Sequence, residues 1–151
     1  MSNTPVYAAG EDAAALQPQV DRLLAESSWG LAAQGEALER AFKFKTFAKT
    51  WVPLTPPDGI DFMTAVSLQC KLKSHHPEWS NVYNTTFIRW TTHNPRGLTA
   101  KDVALAQICD ALAKDFGEVP PEPAVCNLKN LAGHAAQTAG EECCTPKTKK
   151  A

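Results

Sequence analysis

No stretch of this 151-residue chain holds eighteen apolar residues in a row, so nothing in it reads as a membrane-crossing helix. A basic surplus is also missing. Lys and Arg number 15 against 16 Asp and Glu, a net charge of −1, which argues against a nucleic-acid partner. Met1 to Asp12 carry neither an apolar h-region nor an Arg-rich amphipathic pattern, so no signal or transit peptide is expected. A cytoplasmic place follows, with the nucleus as the alternative. The cysteines (Cys70, Cys109, Cys126, Cys143 and Cys144) are odd in number and show no framework spacing. Reduced thiols in a reducing compartment are expected. No Gly-rich phosphate loop, nucleophilic Ser or Cys motif, or internal repeat occurs.

The composition that remains is ordinary for one packed domain: 44% hydrophobic and 21% charged. Its punctuation suggests a flexible leader over 1–15, a domain over 16–116 and a flexible tail over 117–151. Val20, Leu23 and Leu24 recur at helical spacing after Pro18, which suits a first helical turn. Leu31 to Ala33 reads as a short strand, and Leu38 to Lys45 as a longer one, with Arg40 anomalous on its apolar side. A helix is expected from Ile60 to Ser74, with Asp58 as its N-cap. Asn81 to Tyr83 and Thr85 to His93 read as strands joined at Asn84. Thr99 and Asp102 have capping-box spacing at the head of a helix running to Phe116. Beyond the prolines at 120–123 at most a weak helix is expected. The order gives an α+β fold, helices on one face of an antiparallel sheet, whose other face is left free.

Three of the four histidines fall between 75 and 93. His75 and His76 close a helix and enter a turn fixed by Pro77, while His93 ends a strand. Imidazoles give and take protons near neutral pH, so three converging on one pocket would suit acid/base elimination. Trp79 and Tyr83 offer flat walls for a heteroaromatic ligand. Blander readings exist: the His pair as helix-end caps, Trp79 as core, Asp102 as a cap alone. Adjacent histidines diverge on most backbones and no Cys or carboxylate stands at ligand spacing, so no metal is expected.

The run His75-His76-Pro77-Glu78-Trp79-Ser80-Asn81-Val82-Tyr83-Asn84 resembles the signature of the pterin-4a-carbinolamine dehydratases. The likeness continues through Thr91-Thr92-His93 and Gly97-Leu98-Thr99-Ala100-Lys101-Asp102. Upstream, Phe42 to Phe47 and Phe62 to Val66 also look like the family, so the likeness covers about residues 16 to 116. The resemblance implies a four-stranded antiparallel sheet with helices packed on one face, and a homodimer or homotetramer. It implies a pterin substrate, no cofactor, and dehydration of 4a-hydroxytetrahydropterin to quinonoid dihydropterin in tetrahydrobiopterin recycling. His75 and His93 would be the acid/base pair, with His76 catalytic beside them. Ser74, Pro77, Trp79, Thr91, Thr92, Asn94 and Asp102 would bind substrate or support the pocket. The chain departs from the pattern at Lys71, where a Glu is common, at Lys101 in place of Arg, and over an insertion from Val52 to Gly59. An alternative within the same family is an oligomerising protein-binding module, of the transcription-factor dimerisation type.

Overall fold

Asp12 opens the first helix. Its carboxylate accepts a hydrogen bond from the Ala15 N–H at 3.1 Å, and such a cap contributes about 1 kcal/mol. The computed structural model describes residues 4–51, 61–120 and 126–139. Helix α1 spans Ala13–Glu26, so Pro18 falls inside it rather than in its first turn. Leu16, Val20 and Leu23 form its buried stripe.

Strands β1 (Gly30–Ala32) and β2 (Ala37–Phe44) follow, then the short helix α2 (Phe47–Trp51) and helix α3 (Phe62–Lys73). Asp61 caps α3, accepting from the Thr64 N–H at 2.8 Å. Asp58, expected in that role, lies outside the described residues, as do the Val52–Gly59 insertion and Ile60. Strands β3 (Glu78–Val82) and β4 (Thr85–Trp90) complete a sheet of order β1-β2-β4-β3 with every pairing antiparallel. Alternation sends Leu38, Phe42, Ile88 and Trp90 to one face, where α1, α3 and the long helix α4 (Ala100–Asp115) cover them. This is the expected α+β arrangement. Trp90, Phe42, Phe44, Phe62, Leu38 and Leu105 are fully buried, and each such side chain contributes about 1.5–3 kcal/mol.

Further expectations give way to the structure. The strand drawn from Thr85 to His93 stops at Trp90. Thr91 turns aside, its hydroxyl donating to the Glu36 carbonyl at 2.9 Å, and Thr92–His93 become β5, paired with β6 (Arg96–Gly97). β3 begins at Glu78, three residues ahead of Asn81, and this seats Trp79 opposite Ile88 against the core. The leader is not loose over residues 4–12. Tyr7 bridges Leu98, the Ala8 N–H donates to the Leu98 carbonyl at 2.9 Å, and Ala8 is buried. Finally, the chain past Phe116 does not leave the domain at once. β7 (Glu118–Val119) pairs with the end of β2 as a fifth strand.

Arg40 explains that last point. It sits on the apolar side of β2 because two carboxylates meet it there. One is Asp110 of α4; the other, Glu118 of β7, accepts from Arg40 Nη2 at 2.8 Å through both oxygens. Trp29 Nε1 donates to the same Asp110 at 2.8 Å. Burial pushes the Glu118 carboxyl up from its ordinary value, and the Arg40 charge opposes that shift. The outer sheet face is not free either. Helix α5 (Cys126–Ala139) packs across β3 and β4, and Lys129 pairs with Glu39 of β2. The cysteines at 143 and 144 lie outside the described residues.

Candidate active site

The cleft forms where α3 ends. Ser74 adopts the left-handed conformation (φ 48, ψ 49) as the C-cap of α3. That conformation is unusual for a residue with a Cβ, and it swings His75 and His76 off the helix axis. Lys71 and Lys73 occupy the last turn of α3, where cations complement the helix dipole. Lys71 is exposed and does not line the cleft.

A cleft of about 910 Å³ is lined by Ser74, His75, His76, Thr91, Thr92, His93 and Asn94. Every one of these was singled out from the sequence. The three rings run in a row. His75 and His76 centroids lie 6.3 Å apart, and His76 and His93 lie 6.4 Å apart. His75 also stacks at 5.8 Å on the buried Trp90, which fixes its plane.

Each end of the row has a carboxylate behind it. His75 Nε2 lies 2.6 Å from Asp102 Oδ1, and Asp102 is completely buried. The second Asp102 oxygen accepts from the Thr92 hydroxyl at 2.8 Å and from the Thr99 N–H and hydroxyl at 2.9 Å each. So the capping box of α4 is also the support of His75. At the other end, His93 Nε2 lies 3.2 Å from Glu78 Oε1. Glu78 Oε2 is 3.2 Å from Arg89 Nη1, and Arg89 in turn reaches Glu39 through Nη2 at 3.2 Å. A carboxylate only accepts, so the bond to Asp102 puts the hydrogen of His75 on Nε2 and leaves its Nδ1 as the second site for proton exchange; His93 Nε2 faces Glu78 at ion-pair distance.

Not every expected residue joins the cleft. Asp102 lies beneath it, behind His75. Pro77 does not line it, and Trp79 packs with the core because β3 starts early enough to point its side chain inward. Tyr83 is 65% exposed and stacks on Phe47 at 6.0 Å, away from the histidines. Glu11, Thr99 and Ala100, none of them among the expected site residues, line the cleft together with Lys101. Glu11 accepts from the Ala100 N–H at 3.0 Å and so seals the N-terminal segment to the start of α4. Glu78 was visible only as a motif letter. Nothing short of the strand register could have paired it with Arg89. Among the described residues, no group of three or more His, Cys, Asp or Glu is placed to hold a metal ion.

Compared with known proteins, residues 13–112 match the family described as "Pterin 4 alpha carbinolamine dehydratase". A Rhodospirillum rubrum protein named "Putative pterin-4-alpha-carbinolamine dehydratase" is 38% identical over 96 residues, which is 63% of this chain and 91% of that one. A Sinorhizobium medicae protein of the same name is 37% identical over 109 residues, covering 72% of this chain and 90% of its own. Among solved structures, the Brucella melitensis "transcriptional coactivator/pterin dehydratase" superposes with a TM-score of 0.55 at 28% identity, across 68% of this chain and 96% of that one. With the sheet, the histidine row and the matched span in agreement, the chain belongs to the pterin 4 alpha carbinolamine dehydratase family.

Proposed function

We propose that this protein is a hydro-lyase that dehydrates 4a-hydroxytetrahydropterin to quinonoid dihydropterin, with His75 and His93 as the acid/base pair. The observation that carries the reading is the pair of imidazoles at one cleft, each with its Nε2 facing a carboxylate. The reaction breaks the C4a–OH bond and removes the N5 proton, forming the C4a=N5 double bond. One group must protonate the departing hydroxyl so that it leaves as water. Another must accept the N5 proton. One proton is given and one taken, so the proton count of the pair is unchanged, and a proton passes from the base back to the acid through solvent before the next turnover. His76, between the two, contacts the pterin and steadies it, while Thr91, Thr92, Asn94 and Ser74 supply hydroxyls and polar groups along the wall. The chemistry needs positioned proton donors and acceptors. The family resemblance supports a place in recycling the tetrahydrobiopterin spent by aromatic amino acid hydroxylases.

Stopped-flow decay of 4a-hydroxytetrahydropterin is the test. Wild-type protein should accelerate it, and His75→Ala or His93→Ala should each slow the catalysed rate by about 100-fold or more. Decay at the same rate with and without protein would end the dehydratase reading. The intact histidine row favours this enzyme over a protein-binding module.

We also propose self-association as a homodimer or homotetramer. Leu68 and Leu72, one turn apart on α3, are 43% and 77% exposed, an apolar stripe suited to a second copy. Leu72→Glu should reduce the sedimentation mass to that of one chain. A wild-type protein that already sediments as one chain would defeat the proposal.

A further inference from the structure

Glu78 stands in the signature run but has no role in the reaction as written above. We propose that it is the positioning residue of His93, fixing which ring nitrogen carries the hydrogen. The inference rests on the dehydratase reading.

His93 belongs to the small β5–β6 sheet, so the main sheet's ladder does not set its ring. Glu78 reaches across from β3 and ties the ring to the main sheet, with Oε1 3.2 Å from His93 Nε2. The carboxylate is itself clamped. It stands opposite Arg89 in the β3–β4 register, and its Oε2 is 3.2 Å from Arg89 Nη1. Arg89 is held in turn by Glu39 of β2, 3.2 Å from Nη2 and 3.4 Å from Nε. All three side chains of this chain are mostly buried. Glu39 shares its carboxylate between Arg89 and Lys129, and Glu78 sets a second carboxylate beside Arg89. The two Glu78 oxygens are divided, one to the guanidinium and one to the imidazole. The cation at one oxygen leaves the other a single task, to accept the Nε2 hydrogen and present Nδ1 to the cleft.

The arrangement makes a counterintuitive prediction for the isosteric variant. In Glu78→Gln only one oxygen remains. The amide NH2 cannot face the Arg89 guanidinium, donor against donor, so the oxygen turns to Arg89 and the NH2 turns to His93. Nε2 must then accept, and the hydrogen moves to Nδ1, the nitrogen meant for the substrate. A residue that merely fills space would tolerate Gln; a tautomer-setting residue would not.

The experiment has two arms. In stopped-flow, Glu78→Gln should lower kcat by about 10-fold or more while KM stays within about twofold. In long-range proton–nitrogen NMR of the full chain, at a pH where the ring is neutral, His93 should read as the Nε2–H form in the wild type and Nδ1–H in Glu78→Gln. The double variant Glu78→Gln/Arg89→Leu frees the amide oxygen to return to His93. It should recover the Nε2–H form and part of kcat. A Glu78→Gln protein with wild-type kcat and an unchanged His93 tautomer overturns the proposal. So does a double variant no better than the single one. The NMR arm needs no turnover, so it judges Glu78 even where the dehydratase reading itself fails. Should Glu78→Gln alone not fold, the double variant's tautomer decides, since an Nδ1–H ring there would contradict the mechanism.

Discussion

Asp102 Oδ1 lies 2.6 Å from His75 Nε2, while its other oxygen is filled by one N–H and two hydroxyls. One buried carboxylate thus caps α4 and fixes the His75 ring. Asp102→Asn separates the two jobs. The backbone N–H of Thr99 cannot turn, so the amide oxygen must stay on the capping side and the NH2 must face His75. The fold keeps its cap and His75 receives the wrong tautomer. A fall in kcat of about 100-fold or more is expected, with the thermal midpoint within a few degrees of wild type. Asp102→Ala should differ by also destabilising the chain about 1–3 kcal/mol in urea, because the Thr99 N–H loses its buried acceptor. Equal activity of Asp102→Asn and wild type would refute the assignment.

A second prediction concerns where the domain ends. The proline-rich linker drew the boundary at Phe116, but Glu118 meets Arg40, whose side chain is only 10% exposed. A chain ending at Phe116 leaves Arg40 with Asp110 alone and strips β7 from β2. It should be about 1–3 kcal/mol less stable in urea than a chain ending at Pro120. Matching unfolding curves for the two truncations would show that the Glu118 pair contributes nothing.

What the sequence disclosed and what it hid follow from range. The histidines, the Thr99–Asp102 box and the alternation of β2 and β4 are local signals, and each maps onto the structure. The path of the chain at Thr91 is not local, since it turns on a hydrogen bond to Glu36, 55 residues earlier. The choice between core and ligand wall for Trp79 is not local either. Its face depends on where β3 begins, and a one-residue change in register moves a side chain through the sheet. Arg40 looked like a flaw until Asp110 and Glu118 arrived from distant elements. The N-terminal segment was written off because its small residues carry no periodicity. What holds it is distant in sequence: the Ala8 N–H donates to the Leu98 carbonyl and Ala8 is buried.

That last contact is open to a direct test. Gly97 has φ +132, and a Cβ built there would lie 2.6 Å from the Ala8 nitrogen. Both the backbone angle and the closeness of the N-terminal segment demand glycine. Gly97→Ala should push residues 4–12 off Leu98 and lower stability by about 1–3 kcal/mol. Because Glu11 follows on that segment and lines the cleft, pterin affinity should weaken as well. Gly10→Ala is the control: its φ is +94, but no atom lies within 4 Å of the added Cβ. Limited proteolysis should cut near residues 4–12 in Gly97→Ala well before the Gly10→Ala protein. Equal cutting would mean the segment is not held at Gly97.

The buried thiols give the chain an alkaline limit. Burial pushes the Cys109 thiol well up, against a smaller opposing pull from the Trp90 indole, and burial raises Cys70 to about 11. An unfolded thiol ionises near 9.0, its ordinary value. Below that pH both states hold their protons and stability is fully present. Above it the unfolded chain ionises and the folded chain cannot, so stability falls as pH rises. For Cys109 the slope approaches about 1.4 kcal/mol per pH unit. Cys70 is only half-buried and adds a fraction of that, ending near pH 11. Urea unfolding at pH 8 and pH 10 should therefore show a larger loss for wild type than for Cys109→Ala, which has no thiol to ionise. The difference between the two proteins isolates Cys109 from lysines and tyrosines that titrate in the same range. Parallel pH dependence in both would show that the Cys109 thiol ionises as readily folded as unfolded.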